Sequence, residues 1–215
     1  TATPAVKEAV VSRAMKIYED AKRTAPAQLL LEHRQGWAAL WKSGGIELAT
    51  RDLALQQTTN ATFYYLLMST RPDWLHSTLV PSTIAASAPY PHGYYGAVFW
   101  DQDTFQAPPL MVFHPPIARN LLQNRLFQLP SYKSNAKAFG LKGAYVPWEV
   151  GYSGGFARDD EVNHREVHVA GDVALLAGVH PGQLDRRRRH PDATEVDSGL
   201  GILGHFGFAH HSRIA

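Results

Sequence analysis

Two short stretches of the chain set a tryptophan directly beside a carboxylate. Trp100 is followed by Asp101 and then by Asp103, and Trp148 is followed by Glu149. Sites for sugars combine aromatic faces, which pack on the C–H face of the ring, with carboxylates that accept from its hydroxyls. Each pair also has a structural interpretation as a core tryptophan beside a surface acid, and Asp103 suits a helix N-terminus as a cap or dipole partner. Two such pairs in one chain favour a carbohydrate ligand.

A third candidate is a set of polar side chains at four-residue spacing. In one continuous helix, His164, His168 and Asp172 would share a face that could hold a metal ion. The zinc-protease pattern requires a glutamate directly after the first histidine, and Arg165 stands there instead. Hydrogen-bonding roles are therefore favoured over a metal-binding protein, and the sequence predicts no metal ion and no cofactor.

The composition narrows the other classes of function. The chain has 215 residues, of which 45% are apolar and 19% charged, as in ordinary globular proteins with a real core. A net charge of +2 is too small to predict nucleic acid as the main partner. The absence of cysteine excludes disulfides and cysteine-based sites, and it favours a reducing compartment such as the cytoplasm. The apolar runs fall far short of the roughly 20 residues that span a bilayer, so no membrane segment is predicted.

The elements that must position these residues are helices. Residues 72–98 read as a long connection rich in proline, serine and aromatic side chains, which favours a functional loop and places Trp100 at a loop-to-helix junction. No pair of alternating strands is evident, so the predicted fold class is all-α, with stacked hairpins and a bundle as open alternatives. Apolar spacing and stop signals predict helices over about 4–22, 27–41, 52–69, 117–129, 130–140 and 166–177.

The last part of the chain differs from the rest. Arg186–Arg189 form a block of like charge, and four glycines follow between Gly199 and Gly207 with poor helical periodicity. The arginines could contact nucleic acid or a membrane surface, but a solvated run is the favoured interpretation. We therefore predict a helical domain over residues 1–180 and an unstructured Arg/Gly-rich tail over residues 181–215.

Three stretches, in the same order along the chain, carry a resemblance to a known family. Gly96–Asp103, Leu141–Glu149 and Glu166–Ala174 resemble the three signatures of glycoside hydrolase family sixty-five. That family contains acid trehalases, maltose- and kojibiose-type phosphorylases, and the glucosidase that removes glucose from glucosylgalactosyl-hydroxylysine. The resemblance covers about residues 28–177, and the Trp-Glu ending and the Glu-Val-His run look most like the glucosidase branch.

The resemblance implies an incomplete (α/α)₆ barrel of the six-hairpin glycosidase type and a reaction with inversion. In the family, the residues that match Trp100 and Asp101 bind the glucose being released. The match to Trp148 and Glu149 lines the same pocket, and the match to His168 lies close to it. The substrate-binding residues predicted in this way are Trp100, Asp101, Asp103, Trp148, Glu149 and His168.

The chain also departs from the family pattern at two places. Ala97 stands where the family generally has histidine. The family's general acid is a glutamate in a Pro-Asp-Glu-Tyr-type motif downstream of the third signature, and these 215 residues contain no such motif. An inverting glycosidase needs two carboxyl groups, roughly 6.5 to 9.5 Å apart, one to protonate the leaving oxygen and one to activate water. The catalytic residues are therefore left unassigned, and this chain by itself is predicted to be an inactive fragment.

The predicted function is hydrolysis of an α-glucosidic bond by inversion, in glucosylgalactosyl-hydroxylysine or a related α-glucoside. One alternative is a non-catalytic remnant that only binds sugar, and another is a disaccharide phosphorylase that uses phosphate. The expected partner is a small carbohydrate or a glycosylated hydroxylysine, without nucleic acid or membrane. The sequence leaves the oligomeric state open.

Overall fold

The computed structural model describes residues 3–76, 78–79 and 97–179, and the chain divides into two compact units, Thr1–Gly45 and Ile46–Ala215. The tyrosines of the predicted functional loop, Tyr90, Tyr94 and Tyr95, lie outside the described residues, as does the tail over 181–215. The division into a domain over 1–180 and a separate tail therefore stays a prediction.

The first unit consists of two helices, α1 (Pro4–Arg23) and α2 (Pro26–Ser43). The hydroxyl of Thr3 accepts a hydrogen bond from the Val6 backbone N–H at 3.4 Å, and a proline stands in the first turn of each helix, where a missing N–H costs nothing. Both helices predicted for this part of the sequence are confirmed to within two residues at each end.

The second unit begins with α3 (Leu53–Met68), whose first turn is capped by the Asp52 carboxylate. Further along, a π-helical segment (Gln102–Gln106) runs directly into α4 (Ala107–Phe113), and four more helices follow. A π-helical turn inserts an extra residue and is commonly found at functional sites. The remaining helices are α5 (Pro115–Phe127), α6 (Leu129–Ala138), α7 (Glu161–Arg165) and α8 (Val169–Val179).

The core of the second unit forms where α5, α8 and the π-helical segment pack against one another. The fully buried apolar side chains include Leu110 on α4, Leu121 on α5 and Leu176 on α8. Two asparagines of α5 tie down the chain after α3, because Asn120 donates to the carbonyls of Arg71 and Trp74 at 2.9 and 2.6 Å, and Asn124 donates to that of Leu75 at 3.0 Å. This packing holds the π-helical segment against α4 and α8.

One helix prediction was wrong at its beginning. The predicted helix over 166–177 starts only at Val169, and a separate short helix, α7, precedes it. Asp160 caps α7 by accepting from the Asn163 backbone N–H at 2.9 Å, and Glu166 then takes an extended conformation that ends the helix. The cap and the extended residue overrode the apolar spacing. As a result, His164 and His168 do not share a helix face.

The prediction of an all-α fold is confirmed. The described residues contain no strand, only two isolated antiparallel bridges, which join Val98 to Val150 and Val150 to Phe156. None of the described helices is both long enough and apolar enough to cross a bilayer.

Candidate functional site

The bridge between Val98 and Val150 brings the two tryptophan–carboxylate pairs together. The two residues exchange backbone hydrogen bonds of 2.9 Å in each direction. In an antiparallel pair one chain runs forward as the other runs backward. Trp100 lies two residues after Val98 and Trp148 two residues before Val150, so both tryptophans lie on the same side of the bridge. The Phe99 ring meets the Trp148 ring edge to face, with 5.7 Å between the ring centroids.

The indole of Trp100 packs against His168, the third predicted element of the site. The two rings are perpendicular, with centroids 5.1 Å apart. His168 Nδ1 lies 2.6 Å from an Asp172 carboxylate oxygen, and its Nε2 lies 3.4 Å from Glu166. A carboxylate accepts rather than donates, so Nδ1 carries a proton and the orientation of the ring is fixed. The start of α8 thereby contributes directly to the surroundings of Trp100.

Asp101 and Asp103 are two residues apart and have opposite environments. Asp101 is partly exposed, and no partner to its carboxylate is found among the described residues. The Asp103 side chain is fully buried and forms an ion pair with the equally buried side chain of Arg125. Both oxygens of Asp103 accept from this guanidinium, one of them from Nε at 3.2 Å. In this structure Asp103 is therefore occupied by a protein partner, whereas the partly exposed Asp101 has none among the described residues.

The buried guanidinium of Arg125 connects several parts of the site through hydrogen bonds. Besides Asp103, its guanidinium donates to the Phe99 carbonyl at 2.9 Å and to the Tyr132 hydroxyl at 3.4 Å. That hydroxyl donates to Gln128 at 2.6 Å, and the Gln128 amide donates to the carbonyls of Gly151 and Tyr152 at 3.2 Å each. Burial has the largest single effect on the pKa of Arg125 and acts to lower it, but the electrostatic interactions and hydrogen bonds with Asp103 and Tyr132 together outweigh burial and raise the pKa, so the guanidinium stays charged.

Glu149, next to Val150 of the bridge, is held by three residues from the loop after it and from α7 with its cap. The Glu149 backbone N–H donates to the Asn163 side-chain oxygen at 2.8 Å, and the Asn163 amide donates to Asp160 at 3.1 Å. Arg158 lies 3.4 Å from both the Glu149 and the Asp160 carboxylates. Burial raises the pKa of the Glu149 carboxyl, the Arg158 charge acts to lower it, and the Asp160 charge raises it further.

The structure thus brings five of the six predicted residues into one region and encloses the sixth in an ion pair. Trp100, Asp101, Trp148 and Glu149 flank the Val98–Val150 bridge, and His168 packs on Trp100. Sequence reasoning did not identify Arg125, Arg158 or Asn163 as members of the site. The Asp-x-x-Asn spacing from Asp160 to Asn163 is a helix-start signal that could have shown where α7 begins.

The described residues do not support the alternative of a metal centre. His164 pairs with Asp159 at 3.0 Å and packs its ring on Phe156, away from the His168–Asp172 pair. Residues 3–76, 78–79 and 97–179 contain no group of three His, Cys, Asp or Glu side chains placed to hold a metal ion.

Comparison with known proteins identifies the family of this region. Residues 76–178 match the glycosyl hydrolase family 65 central catalytic domain. This part of the chain belongs to glycosyl hydrolase family 65. The family predicted from the three sequence motifs is confirmed, and with it the assignment to the glycoside hydrolases. The match includes every residue of the site described above.

Individual relatives agree with this family. The chain is 33% identical over 161 residues to protein-glucosylgalactosylhydroxylysine glucosidase of Gallus gallus, which covers 73% of this chain and 23% of the relative. It is 36% identical over 155 residues to kojibiose hydrolase of Flavobacterium johnsoniae, which covers 70% of this chain and 21% of the relative. The chain therefore spans about a fifth of the length of these curated relatives.

A solved structure supports the fold. A protein named as a kojibiose phosphorylase from human microbiome superposes with a TM-score of 0.68 at 16% identity, which covers 91% of this chain and 24% of that protein. At this identity the likeness concerns the fold alone. It agrees with the predicted fragment of an (α/α)₆ barrel.

Proposed function

We propose that this chain forms the glucose-binding part of an enzyme that hydrolyses α-glucosidic bonds. The observation that carries the proposal is the Val98–Val150 bridge, because it gathers two tryptophan–carboxylate pairs from positions 48 residues apart around one place. A pyranose offers a C–H face to an indole and hydroxyls to carboxylates, and this arrangement presents both kinds of group. The names of two relatives, a glucosidase and a kojibiose hydrolase, support a glucoside as the substrate class.

Each residue of the proposed pocket has a distinct role. Asp101 and Glu149 accept hydrogen bonds from glucose hydroxyls, and Trp100 and Trp148 shape the pocket around the ring. His168, oriented by Asp172, holds Trp100 edge on and completes the wall. Asp103 contributes indirectly, because its ion pair with Arg125 fixes the turn that carries Asp101.

Cleavage needs more than this pocket. Hydrolysis with inversion requires a carboxylic acid that protonates the leaving oxygen and a carboxylate that activates water on the opposite face. The 215 residues contain no match to the family's acid motif. We therefore propose that this chain by itself binds glucose without cleaving a glucoside, and that the protein made from the whole gene carries out the hydrolysis.

Calorimetric titration of the 215-residue chain with glucose tests the pocket. Asp101→Asn keeps the shape of the side chain and removes its charge, so we expect affinity to fall about tenfold or more, because hydrogen bonds to charged groups contribute about 1.5–3 kcal/mol. Asp159→Asn is the matched control, since its side chain is 92% exposed and pairs with His164 instead. Equal binding by both variants, or a folded wild-type chain that binds no glucose, would refute the pocket.

A second experiment addresses the reaction. Glucose release by the protein made from the whole gene is measured with glucosylgalactosyl-hydroxylysine, kojibiose and trehalose, each with and without phosphate. We expect release without phosphate from at least one of them. If glucose release depends on phosphate, the protein is a disaccharide phosphorylase instead. If the protein binds glucose but cleaves none of the three substrates, it is a sugar-binding remnant.

A further inference from the structure

We propose that Arg158 is a positioning residue that holds the Glu149 carboxylate ionised and correctly oriented for a sugar hydroxyl. This inference rests on the proposed glucose pocket. It adds a residue outside the two tryptophan–carboxylate pairs that sets the ionisation and the orientation of one of their carboxylates. It is based on a closed ring of contacts among four residues, Glu149, Arg158, Asp160 and Asn163.

The ring can be followed contact by contact. The Arg158 guanidinium reaches the Glu149 carboxylate through one NH₂ group at 3.4 Å and the Asp160 carboxylate through Nε at 3.4 Å. The other oxygen of Asp160 accepts from the Asn163 amide at 3.1 Å, and the Asn163 oxygen accepts from the Glu149 backbone N–H at 2.8 Å. The backbone and the side chain of Glu149 are thus both tied to the same set of neighbours.

The part of this ring on α7 is rigid. Asn163 is fully buried, and its backbone N–H is bound by the Asp160 cap. Its backbone carbonyl accepts from the Tyr145 hydroxyl at 3.2 Å, which connects it to the stretch just before Trp148. Asp160 is therefore a fixed anchor for Arg158, and a guanidinium held by one carboxylate presents its remaining donors to another in a defined direction.

The charges around Glu149 require such a partner. Its side chain is only 4% exposed, and burial of a carboxyl favours the neutral form. Two charged side chains face it, both from the loop and cap ahead of α7: Asp160 disfavours its ionisation and Arg158 favours it. An ionised carboxylate offers acceptors on both oxygens, whereas a protonated one has to donate at one of them. The positive charge of Arg158 thereby preserves the form that accepts from sugar hydroxyls.

Arg158 can be replaced without damage to the core, because its side chain is 59% exposed. Partly exposed ion pairs contribute little to stability, so the fold should tolerate Arg158→Gln. Arg158→Lys retains the charge but loses the fork that reaches two carboxylates. Arg165→Gln is the matched control, since Arg165 is an exposed arginine of α7 that pairs with Glu161.

The experiment combines two measurements on the same variants. Carbon-13 NMR of the labelled Glu149 carboxyl, assigned with Glu149→Gln, follows its titration without sugar, and calorimetry follows glucose binding across the same pH range. In Arg158→Gln the Glu149 titration should move to higher pH, and glucose binding should weaken roughly two- to fivefold at the acidic end of that range and recover as the pH rises. Arg158→Lys should restore most of the titration and part of the affinity, and Arg165→Gln should match the wild type.

The outcomes separate the two proposals. A wild-type chain that binds glucose, with an unchanged Glu149 titration and pH profile in Arg158→Gln, would overturn the role of Arg158 and leave the pocket intact. The role of Arg158 would also be overturned if Arg165→Gln shifted both measurements as much as Arg158→Gln does. Absence of glucose binding at every pH in the folded wild-type chain would overturn the pocket itself and this inference with it.

Discussion

Replacement of Arg125 with methionine is expected to lower the free energy of unfolding by about 3–5 kcal/mol, because it leaves a buried charge without a partner. The Asp103 and Arg125 side chains are both fully buried. Without the guanidinium, Asp103 loses its ion pair, and the Phe99 carbonyl and the Tyr132 hydroxyl lose a donor. Urea unfolding followed by circular dichroism measures the change in the free energy of unfolding. The measurement is repeated at several protein concentrations.

The matched control for this prediction lies on the same helix. Arg119→Met makes the same change in α5 at an exposed position, and we expect it to alter stability by less than about 0.5 kcal/mol. Asp103→Asn in the Arg125→Met background should recover part of the loss, because it removes the unpaired charge. An Arg125→Met chain as stable as Arg119→Met would show that the ion pair does not hold this region together.

Replacement of Gly154 with alanine is the second large effect that we expect, with a loss of about 2–4 kcal/mol. Gly154 has a φ of +84°, and a Cβ there would lie 2.8 Å from the Ser131 Cβ and 3.0 Å from the Gln128 Cβ. Both neighbours are anchored, since Ser131 donates to the Ser153 carbonyl at 2.6 Å and Gln128 to that of Gly151 at 3.2 Å. The added methyl group therefore meets backbone strain and crowding together.

Gly140 allows these two causes to be separated. It has a φ of +69°, but a Cβ there would have no atom within 4 Å. Gly140→Ala should therefore show the strain alone, about 1–2 kcal/mol, and the excess in Gly154→Ala measures the crowding. Glucose binding should suffer only in Gly154→Ala, because its turn leads from Val150 to the bridge partner Phe156. Equal losses of stability in the two variants would contradict the close packing of this turn on α6.

The large effects and the proposed pocket share a physical basis. The Arg125 network binds the segment that carries Trp100, and through Tyr132 and Gln128 it reaches the turn after Glu149. Buried hydrogen bonds of this kind allow little movement, because a broken one leaves polar groups without water. The two tryptophan–carboxylate pairs are thus held by contacts that do not themselves face a ligand.

The sequence by itself determined the helices that carry clear local signals. Thr3 caps α1, which also has a proline in its first turn, and Asp52 caps α3; both helices begin within one residue of the prediction, because a cap acts within one turn. The sequence also predicted the chemistry of the proposed site, since an indole beside a carboxylate suits a sugar wherever the fold places it. The order of three motifs determined the family.

Only the tertiary structure decided which of the two aspartates, Asp101 or Asp103, is available to a ligand and which is paired within the protein. Asp101 and Asp103 carry the same group, but Asp103 meets Arg125, which lies 22 residues away along the chain. The break before α8 likewise separates His164 from His168 against the apolar spacing. Ion pairs and bridges depend on distances in space, and a spacing along the sequence fixes such distances only within one continuous helix or strand.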